Sequence, residues 1–176
     1  MVDYKSQPEA RLGRLVVIGL GLIGGSFAKG VREAQLFSEV VGVDLDSESC
    51  RLAVELGVVD RCETDLVRAC EGAAVIQLAV PILAMERLLE QLSALDLHST
   101  ILTDVGSAKG SILRAAQRYL PQCLANFVPG HPIAGSEQSG VEAADAALFR
   151  RHKVILTPHA AVDTNALMLV ERLWRA

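Results

Sequence analysis

Residues 14–44 read RLVVIGLGLIGGSFAKGVREAQLFSEVVGVD, and this stretch decides the fold. Residues 15–18 are a short apolar run rich in β-branched side chains, the pattern of a parallel strand covered on both faces. Residues 19–24, Gly19-Leu20-Gly21-Leu22-Ile23-Gly24, follow at once as G-x-G-x-x-G. Residues 26–35 have helical composition, with Phe27, Val31 and Ala34 apolar. A second strand over residues 40–43 ends in Asp44. Strand, glycine turn, helix, strand and terminal acid is the context in which that motif binds a dinucleotide. The turn lets a pyrophosphate approach the backbone at Gly21, where the free N–H groups and positive dipole end of the helix face it. A carboxylate at Asp44 accepts hydrogen bonds from the adenosine ribose hydroxyls and repels a 2′-phosphate. NAD is therefore favoured over NADP. The plainer alternative is an ordinary strand–helix–strand turn with a solvated Asp44.

The 176 residues suffice for one domain with a sizeable core. A charge of -4 gives no general attraction to nucleic acid or to an anionic membrane surface. The chain lacks an apolar run of membrane-spanning length and a signal-peptide pattern, so a cytoplasmic protein is expected. Cys50, Cys62, Cys70 and Cys123 form no C-x-x-C pair and no metal-ligand pattern; they read as reduced, structural thiols. No metal site is expected.

Residues 1–13 read as a polar lead-in, and residues 14–176 as the domain. Beyond Asp44, Ser47 can cap a helix stopped by Gly57, and residues 58–62 can form a short strand. Thr64 or Asp65 can cap a brief helix. Residues 74–80 are a buried strand, with Pro81 at a helix start. Ile82, Met85, Leu88, Leu89, Leu92 and Leu95 form one helical face. Residues 100–105 are a strand, followed by a helix that Pro121 ends. A very short strand at 127–128, a loop over 129–140, a small helix over 141–148 and a last strand over 153–157 complete the alternation. Asp163 can cap a terminal helix with Ala166, Leu167, Val170, Leu173 and Trp174 on one face, Met168 and Leu169 off it, and an exposed tryptophan. The alternation specifies an α/β fold, a doubly wound, mostly parallel Rossmann-like sheet. Ligands of such sheets bind outside the carboxyl ends of the strands. That rule draws attention to residues 19–24, Asp44, residues 79–81, residues 104–107 and the segment around His131.

Residues 103–110, TDVGSAKG, and 128–140, VPGHPIAGSEQSG, carry the remaining chemistry. A neutral imidazole at His131, flanked by Gly130 and Pro132, can take a hydroxyl proton while hydride leaves an alcohol carbon. The residues alone leave a structural histidine equally open. Ser107 reads as a helix cap or as a ligand, Asp104 as a structural acid at a strand end, Lys109 as a solvated charge, and Glu137 as a surface charge.

VVIGLGLIGGSFA at 16–28, LAVP at 78–81, TDVGSAKG at 103–110, GHPIAGSEQSGVEAA at 130–144 and KVILTP at 153–158 occur in that order. Together they resemble the prephenate/arogenate (cyclohexadienyl) dehydrogenases of tyrosine biosynthesis, over nearly the whole chain. The resemblance implies NAD-dependent oxidative decarboxylation of prephenate to 4-hydroxyphenylpyruvate, or of arogenate to tyrosine. It implies that His131 hydrogen-bonds the ring hydroxyl, and that Ser107 contacts the same hydroxyl and helps align the nicotinamide. Glu137 would order or gate the pocket entrance. Gly19, Leu20, Gly21, Leu22, Ile23, Gly24 and Asp44 would hold the cofactor, with Ala79, Val80, Pro81 and Asp104 beside it. Members of the family continue into a helical second domain that forms a homodimer and adds substrate contacts. That domain is expected to be missing from this chain, which leaves the cofactor portion. A β-hydroxyacid-type dehydrogenase and a catalytically silent NAD-binding module are the competing readings.

Overall fold

The computed structural model describes residues 11–135 and 137–176. The expected 1–13 lead-in falls mostly outside them, although the first strand already begins at Leu12. Among the described residues a seven-stranded sheet has the order β3-β2-β1-β4-β5-β6-β7. The strands are β1 (Leu12–Ile18), β2 (Phe37–Val43), β3 (Arg61–Glu63), β4 (Ala73–Leu78), β5 (Ile101–Asp104), β6 (Phe127–Pro132) and β7 (Val154–Leu156). The helices between them are α1 (Leu22–Glu33), α2 (Ser47–Glu55), α3 (Leu66–Cys70), α4 (Ile82–Leu92), α5 (Lys109–Tyr119) and α6 (Thr164–Arg175). β1 pairs in parallel with both β2 and β4, so the chain reverses its winding direction there. That switch point is where open α/β sheets form their ligand crevice.

The apolar runs of the central strands bury both faces, because each strand alternates its side chains between two helical layers. Val16, Ile76 and Leu102 join Met85 and Leu89 of α4 and Ile112 of α5 on one face. Leu15, Val17 and Val75 join Phe27 and Val31 of α1 and Leu173 of α6 on the other.

Several local expectations shift. Asp46, not Ser47, caps α2, accepting from the Glu48 and Ser49 N–H groups. Asp65 caps α3 and Asp163 caps α6 in the same way. Residues 141–148 do not form a helix beyond a single 3-10 turn, Val141–Ala143. The strand expected at 127–128 runs on to Pro132, so His131 lies on a strand rather than in a loop. β6 first follows β5 in parallel and then turns to β7, with which it pairs antiparallel, His131 opposite Ile155. Trp174 is half-buried, not exposed: its ring lies 4.7 Å from that of Phe27 and edge-on to Phe149 at 5.1 Å. Such pairs stabilise beyond what the area they bury contributes.

The thiol expectation is corrected in part. Cys50 and Cys62 form a disulfide that ties α2 to β3, whereas Cys70 and Cys123 are free and buried. Burial pushes the Cys70 thiol up to about 12. No described helix is long and apolar enough to cross a membrane.

Candidate active site at the carboxyl edge of the sheet

The strand ends are drawn into one row by main-chain bonds. The Gly19 N–H donates to the Val43 carbonyl at 2.8 Å, the Ala79 N–H to Ile18 at 2.8 Å, and the Val105 N–H to Leu78 at 3.2 Å. The glycine turn, Asp44, residues 79–81 and the 104–107 turn therefore share one edge.

Sterics explain the first turn. Gly19 has φ +94, and a Cβ there would lie 2.6 Å from the Ala79 carbonyl oxygen. A Cβ at Gly24 would lie 2.0 Å from the Gly19 carbonyl oxygen. The turn and the start of α1 thus interlock backbone against backbone. Gly21 differs: its Cβ would meet nothing within 4 Å. It caps α1 without any side-chain hydrogen bond, so the first N–H groups of the helix stay available to an anion. The space in front of Gly21 is therefore open. Leu22 and Ile23 are half-buried at the helix start, while Leu20 is 1 % exposed and packs over Gly42. The part Leu20 plays in the turn is made by its backbone: its N–H donates to Asp44 Oδ2 at 2.8 Å. Asp44 Oδ1 also accepts the Asp46 N–H at 3.0 Å. The carboxylate is oriented by the turn and keeps acceptor capacity for a diol.

A cleft of about 680 Å³ opens at this point, lined in part by Gly19, Asp44, Val80 and Pro81. Its far wall, with Leu66, Ala84, Arg87 and Leu88, is absent from the sequence-based expectations. A periodic α4 face signals burial and does not say which of its other residues turn toward a cleft. The volume suits a cofactor-sized ligand. A second cavity of about 520 Å³, between α1 and α6 beside Phe149 and Trp174, holds none of the expected site residues.

The other half of the site is built from side chains. Asp104, at the end of β5, is 0 % exposed. Its Oδ2 accepts the Gly106 N–H at 2.8 Å and an ion-paired bond from Lys109 Nζ, and its Oδ1 accepts the Gly130 N–H at 3.3 Å. Lys109 Nζ also donates to the Gly130 carbonyl. Lys109 is accordingly no solvated charge; its side chain is 18 % exposed. Burial raises the Asp104 carboxyl pKa and lowers that of the Lys109 ammonium, each opposed by the other's charge. Ser107 is exposed and does not cap α5, whose N-cap is Ala108. Its hydroxyl is therefore not spent on the helix. His131 is half-buried next to the pinned Gly130, and Glu137 is exposed on the segment beyond. Ser136 lies outside the described residues.

Residues 27–176 match the family model for the prephenate dehydrogenase nucleotide-binding domain. The chain belongs to that family. The glycine turn precedes the matched span. The chain is 35% identical over 160 residues to a prephenate dehydrogenase of Bacillus subtilis, covering 90% of this chain and 43% of that protein. The crystal structure of an A. aeolicus prephenate dehydrogenase in complex with hydroxyphenyl propionate and NAD+ is similar at TM-score 0.87 and 33% identity, over 95% of this chain and 58% of that one. A Synechocystis arogenate dehydrogenase is similar at TM-score 0.83 and 32% identity, over 91% and 55%. This family domain thus spans about half the length of the relatives it matches.

Proposed function

We propose that this chain is the cofactor-binding portion of an NAD-dependent dehydrogenase that oxidatively decarboxylates prephenate or arogenate, releasing 4-hydroxyphenylpyruvate or tyrosine. The observation that carries the proposal is the sharing of one sheet edge by a dinucleotide cradle and a second, side-chain-built cluster bearing Ser107 and His131. The family assignment and the NAD+ named for the A. aeolicus relative support the same reading. A cytoplasmic setting and a homodimer formed through residues beyond this domain belong to it as well.

A bound nicotinamide supplies the hydride acceptor for this chemistry. Asp44 would hold the ribose hydroxyls and oppose a 2′-phosphate. The open Gly21 position and the free N–H groups at the start of α1 would hold the pyrophosphate, and Ala79, Val80 and Pro81 would lie beside the cofactor. Ser107 hydrogen-bonds the ring hydroxyl from the 104–107 turn. His131 accepts a hydrogen bond from that hydroxyl and stabilises the positive charge that develops on its oxygen as hydride leaves the ring carbon. The electron pair of the bond to the ring carboxylate re-enters the ring as CO2 departs, and the proton remains on the phenol. Glu137 stands at the entrance.

Calorimetric titration with NAD+, then NADP+, then prephenate at saturating NAD+ tests the reading. NAD+ binding without NADP+ binding is expected, and absence of NAD+ binding overturns it. In the full-length protein, His131→Asn is expected to lower turnover by about 100-fold or more with NAD+ affinity retained. Unchanged turnover would leave a silent NAD-binding module as the better reading.

A further inference from the structure

We infer that the buried Asp104–Lys109 pair is a positioning clasp that holds the Ser107 turn and the His131 strand in one geometry; the inference rests on the reading of those two residues proposed above. β5 ends at Asp104, yet β6 continues to Pro132. The parallel ladder between them stops at the pairing of Asp104 with Pro129. At the next residue β6 needs new partners on that side, because a buried main-chain group left unpaired is costly. Two side chains supply them: Asp104 Oδ1 takes the Gly130 N–H, and Lys109 Nζ donates to the Gly130 carbonyl. Gly130 is buried at this point, and a Cβ there would sit 3.1 Å from the Asp104 carbonyl oxygen. The ladder is thus extended one residue by an ion pair, and His131 is the residue immediately beyond.

The same carboxylate reaches the other arm. Asp104 Oδ2 accepts the Gly106 N–H at 2.8 Å, just before Ser107, and Lys109 opens α5 just after it. Ser107 is therefore bracketed by two residues that hold one carboxylate, and that carboxylate holds the residue before His131. A buried pair is a poor device for stability alone, since an apolar replacement of similar volume is often neutral or better. What an apolar pair cannot do is hydrogen-bond Gly106 and Gly130 together. Neither Asp104 nor Lys109 is asked to touch the reacting atoms. Their effect runs through Ser107 and His131.

The test uses Lys109→Met and, because that variant strands a buried carboxylate, the charge-neutral double variant D104N/K109M. Amide hydrogen exchange is followed at residues 106–109 and at Gly130 and His131, with residues 19–24 as the internal reference. Exchange at Gly106, Gly130 and His131 should rise at least about tenfold in the double variant while the reference is unmoved. In the full-length protein kcat should fall by about 100-fold, with KM changing far less, as expected of misplaced catalytic groups. Unaltered exchange at Gly106 and Gly130 overturns the clasp. So does a parental kcat in a variant whose exchange has risen. If the parent protein turns over neither prephenate nor arogenate, the functional reading fails instead, and the exchange data still decide the clasp.

Discussion

The two halves of the site are held by different physics. On the β1–β2 side, the cradle is fixed by main-chain sterics: Gly19 and Gly24 fit because no Cβ occupies space already filled by carbonyl oxygens. On the β5–β6 side, a buried carboxylate and ammonium tie two turns together. Main-chain interlocking tolerates almost no substitution but writes itself into local sequence. A side-chain clasp depends on residues far apart in the chain and is silent in any one segment. The comparison also ranks what should happen when each is disturbed.

Gly24→Ala should have the largest effect. Its methyl would stand 2.0 Å from a backbone oxygen, and backbone cannot rotate away as a side chain can. We expect a loss of more than about 4 kcal/mol, above the roughly 1–3 kcal/mol of ordinary overpacking because the opposing atom is main chain and cannot relax. Urea unfolding of the variant measures it. A loss below about 1 kcal/mol would mean that the turn is more pliable than the interlocking picture allows.

Lys109→Met comes next. It leaves Asp104 charged, desolvated and without its cation, which costs about 3 kcal/mol or somewhat more. D104N/K109M should recover most of that stability in the same unfolding experiment. If the single and double variants are equally unstable, the lysine stem rather than its charge carries the effect.

The contrast between halves also explains what could be read without a structure. Alternation of strands and helices, the 19–24 turn and Asp44 are local signals, and each appears in the fold where it was expected. The β6 strand was not legible, because Pro129, Gly130 and Pro132 all read as loop residues. They are accommodated because β6 changes partners midway, from parallel β5 to the three-residue antiparallel β7. Lys109 reads as a solvated charge because its partners lie 5 and 21 residues away. Cys50 and Cys62 lie 12 residues apart without a recognisable spacing, and only the return of the chain from α2 into β3 brings them together. Trp174 reads as exposed because Phe27 and Phe149 reach it from distant segments.

Gly21→Ala separates the two roles of the glycine turn. With nothing within 4 Å of the new methyl, and with φ -70 already suited to an alanine, folding stability should change by less than about 0.5 kcal/mol. The methyl would project into the space assigned to the pyrophosphate. NAD+ affinity should therefore fall about tenfold, or about 1.4 kcal/mol. Parental affinity measured by calorimetry would move the pyrophosphate away from Gly21.

The smallest effect belongs to the other ion pairs of the molecule, which are the opposite of the clasp in exposure. Glu39 on β2 bonds Arg61 of β3 at 2.7 Å and Arg14 of β1 at 2.6 Å, with its own side chain 31% exposed. The Arg61 guanidinium, more than Arg14, holds its carboxyl below the usual carboxylate range, against the opposing pull of burial. A carboxyl whose pKa is depressed on folding contributes stability that is fully present above its unfolded value, near ~4.3, and is lost as pH falls through the lower folded value. Glu39→Gln should accordingly cost at most about 1 kcal/mol at pH 7 and less in high salt, because water and ions screen a pair this exposed. It should also flatten the acid limb of the stability curve below about pH 4.5 without moving the neutral plateau's slope. Chemical denaturation from pH 3 to pH 7 at low and high salt would show this. A salt-insensitive loss as large as that of Lys109→Met would mean that the cofactor half, too, leans on charge rather than on main-chain fit.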